Sequence, residues 1–184
     1  AADSVSLSAH KFRGPKGIGA LVFECGFVPL PIGRGGAQER GLRPGTLDAT
    51  AVAGLAAALG RLEEGRLGFA RACTLRDVLE RVLVERARAV VHGQGSARLG
   101  HIINFRLPGW KGDELVAALD LEGICVSSGS ACSAGSSEPS SVIEAMLDRE
   151  AATGAVRVSF GEGSTEADLN EMLSALSRLG VLGK

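Results

Sequence analysis

The alternation of apolar and polar residues divides the chain into short extended runs and longer helical ones. Ser4 to Ser8 and Ile18 to Glu24 are compact apolar runs suited to strands, separated by the Gly/Pro-punctuated stretch HKFRGPKG. Between Val28 and Gly45 the density of proline and glycine excludes a regular element. Thr46 to Glu64 then carries an Ala/Leu helical pattern with Thr46 or Asp48 as its cap. Leu67 to Ala89 repeats apolar residues at steps of three and four among arginines and glutamates, the mark of an amphipathic helix with one solvated face. Beyond it, Val90 and Val91, Ile102 to Leu107, Ile124 to Val126 and Val156 to Phe160 read as strands. Gly112 to Leu121, Ser140 to Leu147 after Pro139, and Thr165 to Leu179 read as helices. Strands separated by helices predict an α/β or α+β arrangement, with the helical stretch 46–89 joining two lobes.

Composition narrows the function classes. The 184 residues carry twenty basic and twenty-one acidic side chains. A net charge of −1 gives no electrostatic case for nucleic acid or an anionic membrane, so small-molecule and protein partners are expected. No apolar run reaches the roughly 20 residues that span a bilayer, and AADSVSLSAHK lacks the basic-then-apolar pattern of a signal peptide. The chain reads as cytoplasmic and soluble. Cys25, Cys73, Cys125 and Cys132 are too scattered for a disulfide framework and form no CxxC pair, so no resident metal is expected. The first three fall in apolar or helical patterns and read as small buried hydrophobes, whereas Cys132 stands in a polar Ser/Gly-rich loop.

Three positions carry candidate chemistry. Lys11 follows a strand that ends in small residues, with Ser8 and His10 placed to donate hydrogen bonds to a phosphate; a Schiff-base lysine needs such rigid backbone beside its aldehyde. The same spacing also suits ordinary surface lysines, Lys11 and Lys16, around a Gly-Pro turn. Cys132, in SSGSACSAGSSEPS, has the exposure and the surrounding donors that stabilise a thiolate, or is simply a cysteine in a flexible loop. Arg157 lies inside the apolar strand pattern AVRVSF and calls for a partner, either a structural carboxylate or a ligand carboxylate gripped in bidentate fashion.

In order along the chain, SLSAHKFRGPKGIGAL, GGAQERGLRPGTLD, RLGHIINFRLPG, SSGSACSAGSSEPS and VRVSFGEGSTEADL resemble the cofactor-lysine segment, glycine-rich loop, small-domain strand, catalytic-cysteine loop and terminal arginine strand of one family. The chain resembles the carboxy-terminal half of the cysteine desulfurases, pyridoxal-phosphate enzymes of the class V aminotransferase group. The resemblance implies a fold of the aspartate-aminotransferase-like type, with residues 1–65 completing a cofactor-binding large domain and 66–184 forming an α+β small domain that carries the cysteine loop. It implies Lys11 as Schiff-base lysine and proton carrier, Ser8 and His10 at the phosphate of pyridoxal 5'-phosphate, and Thr46 at the phosphate of the partner subunit in a homodimer. Arg157 would hold the substrate carboxylate, and Cys132 would take the sulfur of L-cysteine as a persulfide, leaving alanine.

The persulfide would pass to a sulfur-acceptor protein such as an iron–sulfur scaffold, with Cys132 itself open to transient iron–sulfur ligation. Other class V chemistry, such as a selenocysteine lyase, and a non-catalytic interaction module remain the alternatives. Two departures from the family pattern touch local geometry: Pro44 where serine is usual, and Gly100-His101 where proline-asparagine is common. The family's ring-stacking histidine and the acidic partner of the pyridine nitrogen belong to its earlier half, so weak or no cofactor binding is expected of these 184 residues alone. A thiol with the ordinary pKa near 8.5 is only a few per cent thiolate at neutral pH. Cys132 is therefore expected to be activated by its loop or by bound substrate, and to alkylate faster than a free model thiol. Equal rates, with and without substrate, would sink that expectation.

Overall fold

The computed structural model describes residues 2–31, 33–129 and 138–183. The chain divides into two compact units, Ala1–Glu64 and Gly65–Lys184. Among the described residues no helix is long and apolar enough to cross a membrane.

The first unit is built on an antiparallel hairpin of β1 (Ser4–Ser8) and β2 (Gly19–Phe23), paired from Ser4↔Phe23 to Ser8↔Gly19. A one-turn 3₁₀ helix, Ala9–Phe12, leaves the end of β1. Among the described residues of the Gly/Pro-rich stretch that follows, the regular structure is one further 3₁₀ turn, Glu39–Gly41, as its composition predicts. Helix α1 (Ala49–Leu59) begins at Asp48, whose Oδ1 accepts the Ala51 N–H at 2.9 Å; Asp48 rather than Thr46 is the cap. The helical pattern breaks at Gly60 and Arg61, earlier than its apolar periodicity predicts, because Gly60 closes α1 with its N–H on the Ala56 carbonyl.

The second unit packs helices against a three-stranded antiparallel sheet ordered β3–β4–β5. Helix α2 (Leu62–Ala87) presents Gly68, Ala72, Leu75, Leu79 and Leu83 as one buried stripe at steps of three and four. Arg88 takes a left-handed φ of 53°, and Ala89 N–H returns to the Leu83 carbonyl at 3.1 Å, a Schellman-type close. The chain then enters β3 (Val90–Val91), crosses to β4 (Ile102–Arg106), and after α3 (Gly112–Leu121), α4 (Ser141–Met146) and α5 (Arg149–Gly154) returns as β5 (Val156–Ser159). Helix α6 (Glu166–Arg178) is opened by a capping box between Thr165 and Asp168.

Strand period sorts the sheet into two faces. Ile103, Phe105, Val91, Val156 and Val158 turn to the core with Leu115 and Leu119 of α3 and Leu169, Met172 and Leu176 of α6. Asn104, Arg106 and Arg157 alternate onto the other face. Two glycines are fixed by close approach: a side chain at Gly68 would meet Glu162 Cβ at 2.5 Å, and one at Gly112 would strike the Ala155 carbonyl.

The predicted strand 124–126 is not formed. Gly123, at φ 81°, returns its N–H to Asp120, and Ile124 N–H reaches the Leu119 carbonyl at 2.8 Å, so the segment is spent closing α3 and only Ser127 bridges to Arg157. Helix α5, which the apolar pattern did not announce, is started by Asp148, whose carboxylate accepts the Ala151 N–H at 2.7 Å. The reading of three cysteines as buried is also corrected: Cys25 and Cys125 are exposed and Cys73 is half-buried. Cys25 lies beyond the end of β2 and Cys125 lies on the segment that closes α3, so neither has a strand's buried face. Cys73 does pack, since its Sγ occupies the space where a side chain at Gly100 would sit.

Beside that contact, the His101 ring meets Phe69 with centroids 4.9 Å apart, and burial lowers its pKa from the usual 6.5. The unfolded chain therefore takes up the His101 proton more readily than the folded one. The associated stability is fully present above the ordinary value and lost as pH falls below it toward the lowered one. Between about pH 7 and pH 5 the denaturation midpoint is expected to fall, and His101→Gln to flatten that slope. An unchanged slope in the variant would show that other groups carry the dependence.

Candidate functional site

The lysine segment is locked by its own backbone. Ala9 is fully buried, its N–H donates to the Ile18 carbonyl at 3.1 Å, and its carbonyl accepts from Gly14 N–H at 2.8 Å. Arg13 at φ 66° makes the reversal, and a side chain at Gly14 would lie 2.8 Å from Ala9 Cβ. The same holds across the hairpin, where a side chain at Gly19 would strike the Leu7 carbonyl. These glycines are thus required by the turn and hairpin themselves. On this frame Ser8 Oγ and His10 Nδ1 share a hydrogen bond of 3.0 Å, and Lys11 stands exposed beside them with no hydrogen bond or ion pair among the described residues. Helix α1 backs the segment, with Gly54 so close to Pro15 that a side chain there would meet Pro15 Cγ at 2.8 Å.

Thr46 sits exposed on the loop into α1. That loop is folded on itself: Gln38 Oε1 accepts the Gly45 N–H at 3.2 Å, and Pro44 fills the space that side chains at Gly33 and Gly35 would need. Pro44 is therefore accommodated by the glycines opposite it, and Gly45, at φ 105°, turns the chain into Thr46.

Arg157 is half-buried on β5, opposite Asn104 of β4. Its backbone N–H donates to the Ser127 carbonyl at 2.6 Å and its carbonyl accepts from Ser127 N–H at 3.1 Å. On the far side of Asn104, the His92 N–H donates to the Asn104 carbonyl at 2.9 Å. His92, Asn104, Arg157 and Ser127 thus form one polar row across four segments. No carboxylate pairs with the Arg157 guanidinium among the described residues, although other arginines of the unit are so paired, Arg98 with Glu80 at 2.6 Å for one. Of the two partners the strand pattern allowed, the structural carboxylate is not found there.

Cys132 lies outside the described residues. The flanks of its segment are placed: Ser127 Oγ donates to the Gly129 carbonyl at 2.9 Å, and the Glu138 carbonyl lies 4.0 Å from where a Cβ on Gly129 would be. The structure therefore gathers Ser8, His10 and Lys11 on one turn, leaves Thr46 on its own loop, and ties the root of the Cys132 segment to the backbone of Arg157. His92 and Asn104 were not singled out from sequence; the polar interruption of the apolar run IINF was the available signal. A cavity of about 500 Å³ lies in the second unit, lined by Arg106, Trp110, Lys111 and Glu150 among others, and none of the expected site residues among the described ones borders it.

The mixed α/β fold, with its lysine turn and a strand arginine that has no carboxylate partner among the described residues, is matched by known proteins. The sequence model of the aminotransferase class V family matches residues 1–172, and the chain belongs to that family. The relatives it matches include a cysteine desulfurase of Cereibacter sphaeroides, 42% identical over 178 residues, covering 95% of this chain and 45% of that protein. An IscS-like cysteine desulfurase of Mycobacterium tuberculosis is 39% identical, again with 95% and 45% covered. Among solved structures, a NifS-like protein superposes with a TM-score of 0.81 at 31% identity, over 98% of this chain and 47% of that one. SspA in complex with cysteine gives 0.61 at 27% identity, over 89% and 45%. The chain spans about half the length of these relatives. The family is pyridoxal-phosphate-dependent.

Because the Arg157 guanidinium has no carboxylate partner among the described residues, its removal leaves no buried charge behind. Arg157→Gln is expected to cost less than about 1 kcal/mol of stability, whereas Arg98→Gln, which leaves the mostly buried Glu80 with only the longer Arg76 contact at 3.6 Å, is expected to cost more. Equal losses in denaturant titrations would indicate that Arg157 is a structural residue.

Proposed function

We propose that this chain supplies the cofactor lysine, the carboxylate-holding arginine and the sulfur-accepting cysteine of a cysteine desulfurase. The observation that carries the reading is Arg157: a half-buried residue on a strand whose guanidinium has no carboxylate partner among the described residues, and whose backbone also holds the root of the Cys132 segment.

The lysine turn fits pyridoxal phosphate in its donor set. It offers a primary amine, Lys11, with no partner among the described residues, on rigid backbone, with the Ser8 hydroxyl and His10 imidazole beside it to bind the phosphate. Thr46 supports the phosphate of a second copy in a homodimer. When bound there, the cofactor supplies the electron sink that makes the substrate carbon–sulfur bond breakable.

The chain's own residues divide the remaining work. Arg157 grips the amino-acid carboxylate with two parallel N–H donors, which fixes the orientation of the substrate as well as its affinity. Lys11 moves the proton, and the hydrogen-bonded turn beneath it keeps its stem in one place. The Cys132 thiolate attacks the substrate sulfur; the new S–S bond forms as the carbon–sulfur bond breaks, and that electron pair stays with the carbon fragment. Protonation of the fragment gives alanine, and the persulfide goes to an acceptor protein.

Sulfide release from L-cysteine, measured in the presence of pyridoxal phosphate and a thiol reductant, tests the reading together with mass analysis for a persulfide on Cys132. Cys132→Ala is expected to lower release by about three orders of magnitude or more, the scale on which loss of a nucleophile acts. Release that survives in Cys132→Ala would point instead to lyase chemistry without an enzyme persulfide.

A further inference from the structure

The polar row on the outer face of the sheet contains more than Arg157. His92 is only 6% exposed, and its Nδ1–H donates to the Asn104 Oδ1 at 2.6 Å. A second bond between the same residues, His92 N–H to the Asn104 carbonyl at 2.9 Å, fixes the imidazole over the asparagine. An amide has one acceptor and one donor end. With Oδ1 committed to His92, the NH₂ of Asn104 is left without a partner among the described residues, and it is open to solvent.

Asn104 and Arg157 are direct cross-strand partners, so their Cβ atoms are about 5 Å apart on the same face. The result is an amide NH₂ and a guanidinium on neighbouring side chains of one face, both donors, with no acceptor among the described residues. Two such donors satisfy each other poorly and a carboxylate well, since its two oxygens accept in one plane.

We propose that Asn104 is a second carboxylate-binding residue and His92 the positioning residue that orients it, the pair forming with Arg157 a three-residue clamp. This rests on the reading of Arg157 as the substrate carboxylate site and adds its specificity: the clamp selects a planar carboxylate over a lone negative charge. His92 acts through Asn104 alone. Its Nδ1 proton holds Oδ1 away from Arg157, and its Nε2 is buried without a hydrogen-bond partner. Were the amide reversed, Oδ1 would accept from Arg157 and no clamp would exist.

The test is a titration of the isotope-labelled 184-residue chain with L-alanine, an unreactive amino acid, and with acetate. Nuclear magnetic resonance reads the Arg157 Nε–H, the Asn104 NH₂ and the His92 ring nitrogens. The Arg157 and Asn104 signals are expected to shift together and saturate, with His92 as the Nδ1–H tautomer. Asn104→Ala and His92→Phe are each expected to weaken binding about tenfold, the loss of one hydrogen bond to a charged group. Asn104→Asp, nearly isosteric on a half-exposed site and so foldable even where His92→Phe is not, is expected to abolish it by placing a second carboxylate against Arg157. If Arg157 saturates while Asn104 stays silent, if Asn104→Asp still binds, or if His92 is the Nε2–H tautomer, the clamp is wrong and the Arg157 reading stands. If Arg157 itself does not respond, both fall.

Discussion

The pairing of β4 with β5 is the constraint on which the second unit depends. It sets Phe105 against Val156 and Ile103 against Val158 on the core side, and by the same period sets Asn104 against Arg157 on the other. A slip of one residue in either strand would turn its entire set over. In β5 that would expose Val156 and Val158 and drive the Arg157 charge into the core, at about 1.5–3 kcal/mol for each large side chain lost from burial and more for the charge. The apolar residues thus hold the polar row in place from the opposite face of the sheet. Ser127, joined to Arg157 by a pair of backbone hydrogen bonds, carries the same register into the segment that leads to Cys132.

The first unit solves a different problem with different means. A lysine is a long, mobile side chain, and only its backbone can be held. Here the hold comes from hydrogen bonds at Ala9 and from glycines placed where any side chain would collide, at Gly14 and Gly19. Residues that a sequence reader assigns to the ligand are needed first by the protein. A glycine-rich lysine turn is consequently weak evidence for a cofactor when taken alone, and it gains meaning from the family to which the whole chain belongs.

Most of the regular structure was legible because periodicity and capping agreed. β1, α3 and the opening of α6 fall where apolar spacing and Thr165 put them. What was missed has local causes. The segment 124–126 has a strand's composition, but Gly123 diverts its hydrogen bonds to the end of α3. Helix α5 is one and a half turns of Ala-rich chain whose only announcement is Asp148. Cys25 and Cys125 read as buried because their neighbours are apolar, yet each stands outside a strand. The candidate residues at 8, 10, 11, 46 and 157 were found as motifs. His92 and Asn104 could not be found that way, since what marks them is adjacency across strands between positions far apart in sequence.

The neighbouring positions of Gly129 and Glu138 bear on any molecule that is to receive something from Cys132. A chain fixed at Gly129 and extended over three residues reaches at most about 10 Å. That is a tether of fixed length, set by covalent geometry whatever path the residues take. Were Cys132 to deliver sulfur as proposed, any longer distance would have to be covered by the recipient, bringing its own acceptor group within that radius of the sheet edge. Lengthening the segment would widen the radius at little cost in closure entropy, because its ends already meet. On the role proposed for Cys132, so short a tether would filter recipients, admitting those that dock close and turning away those that only pass by.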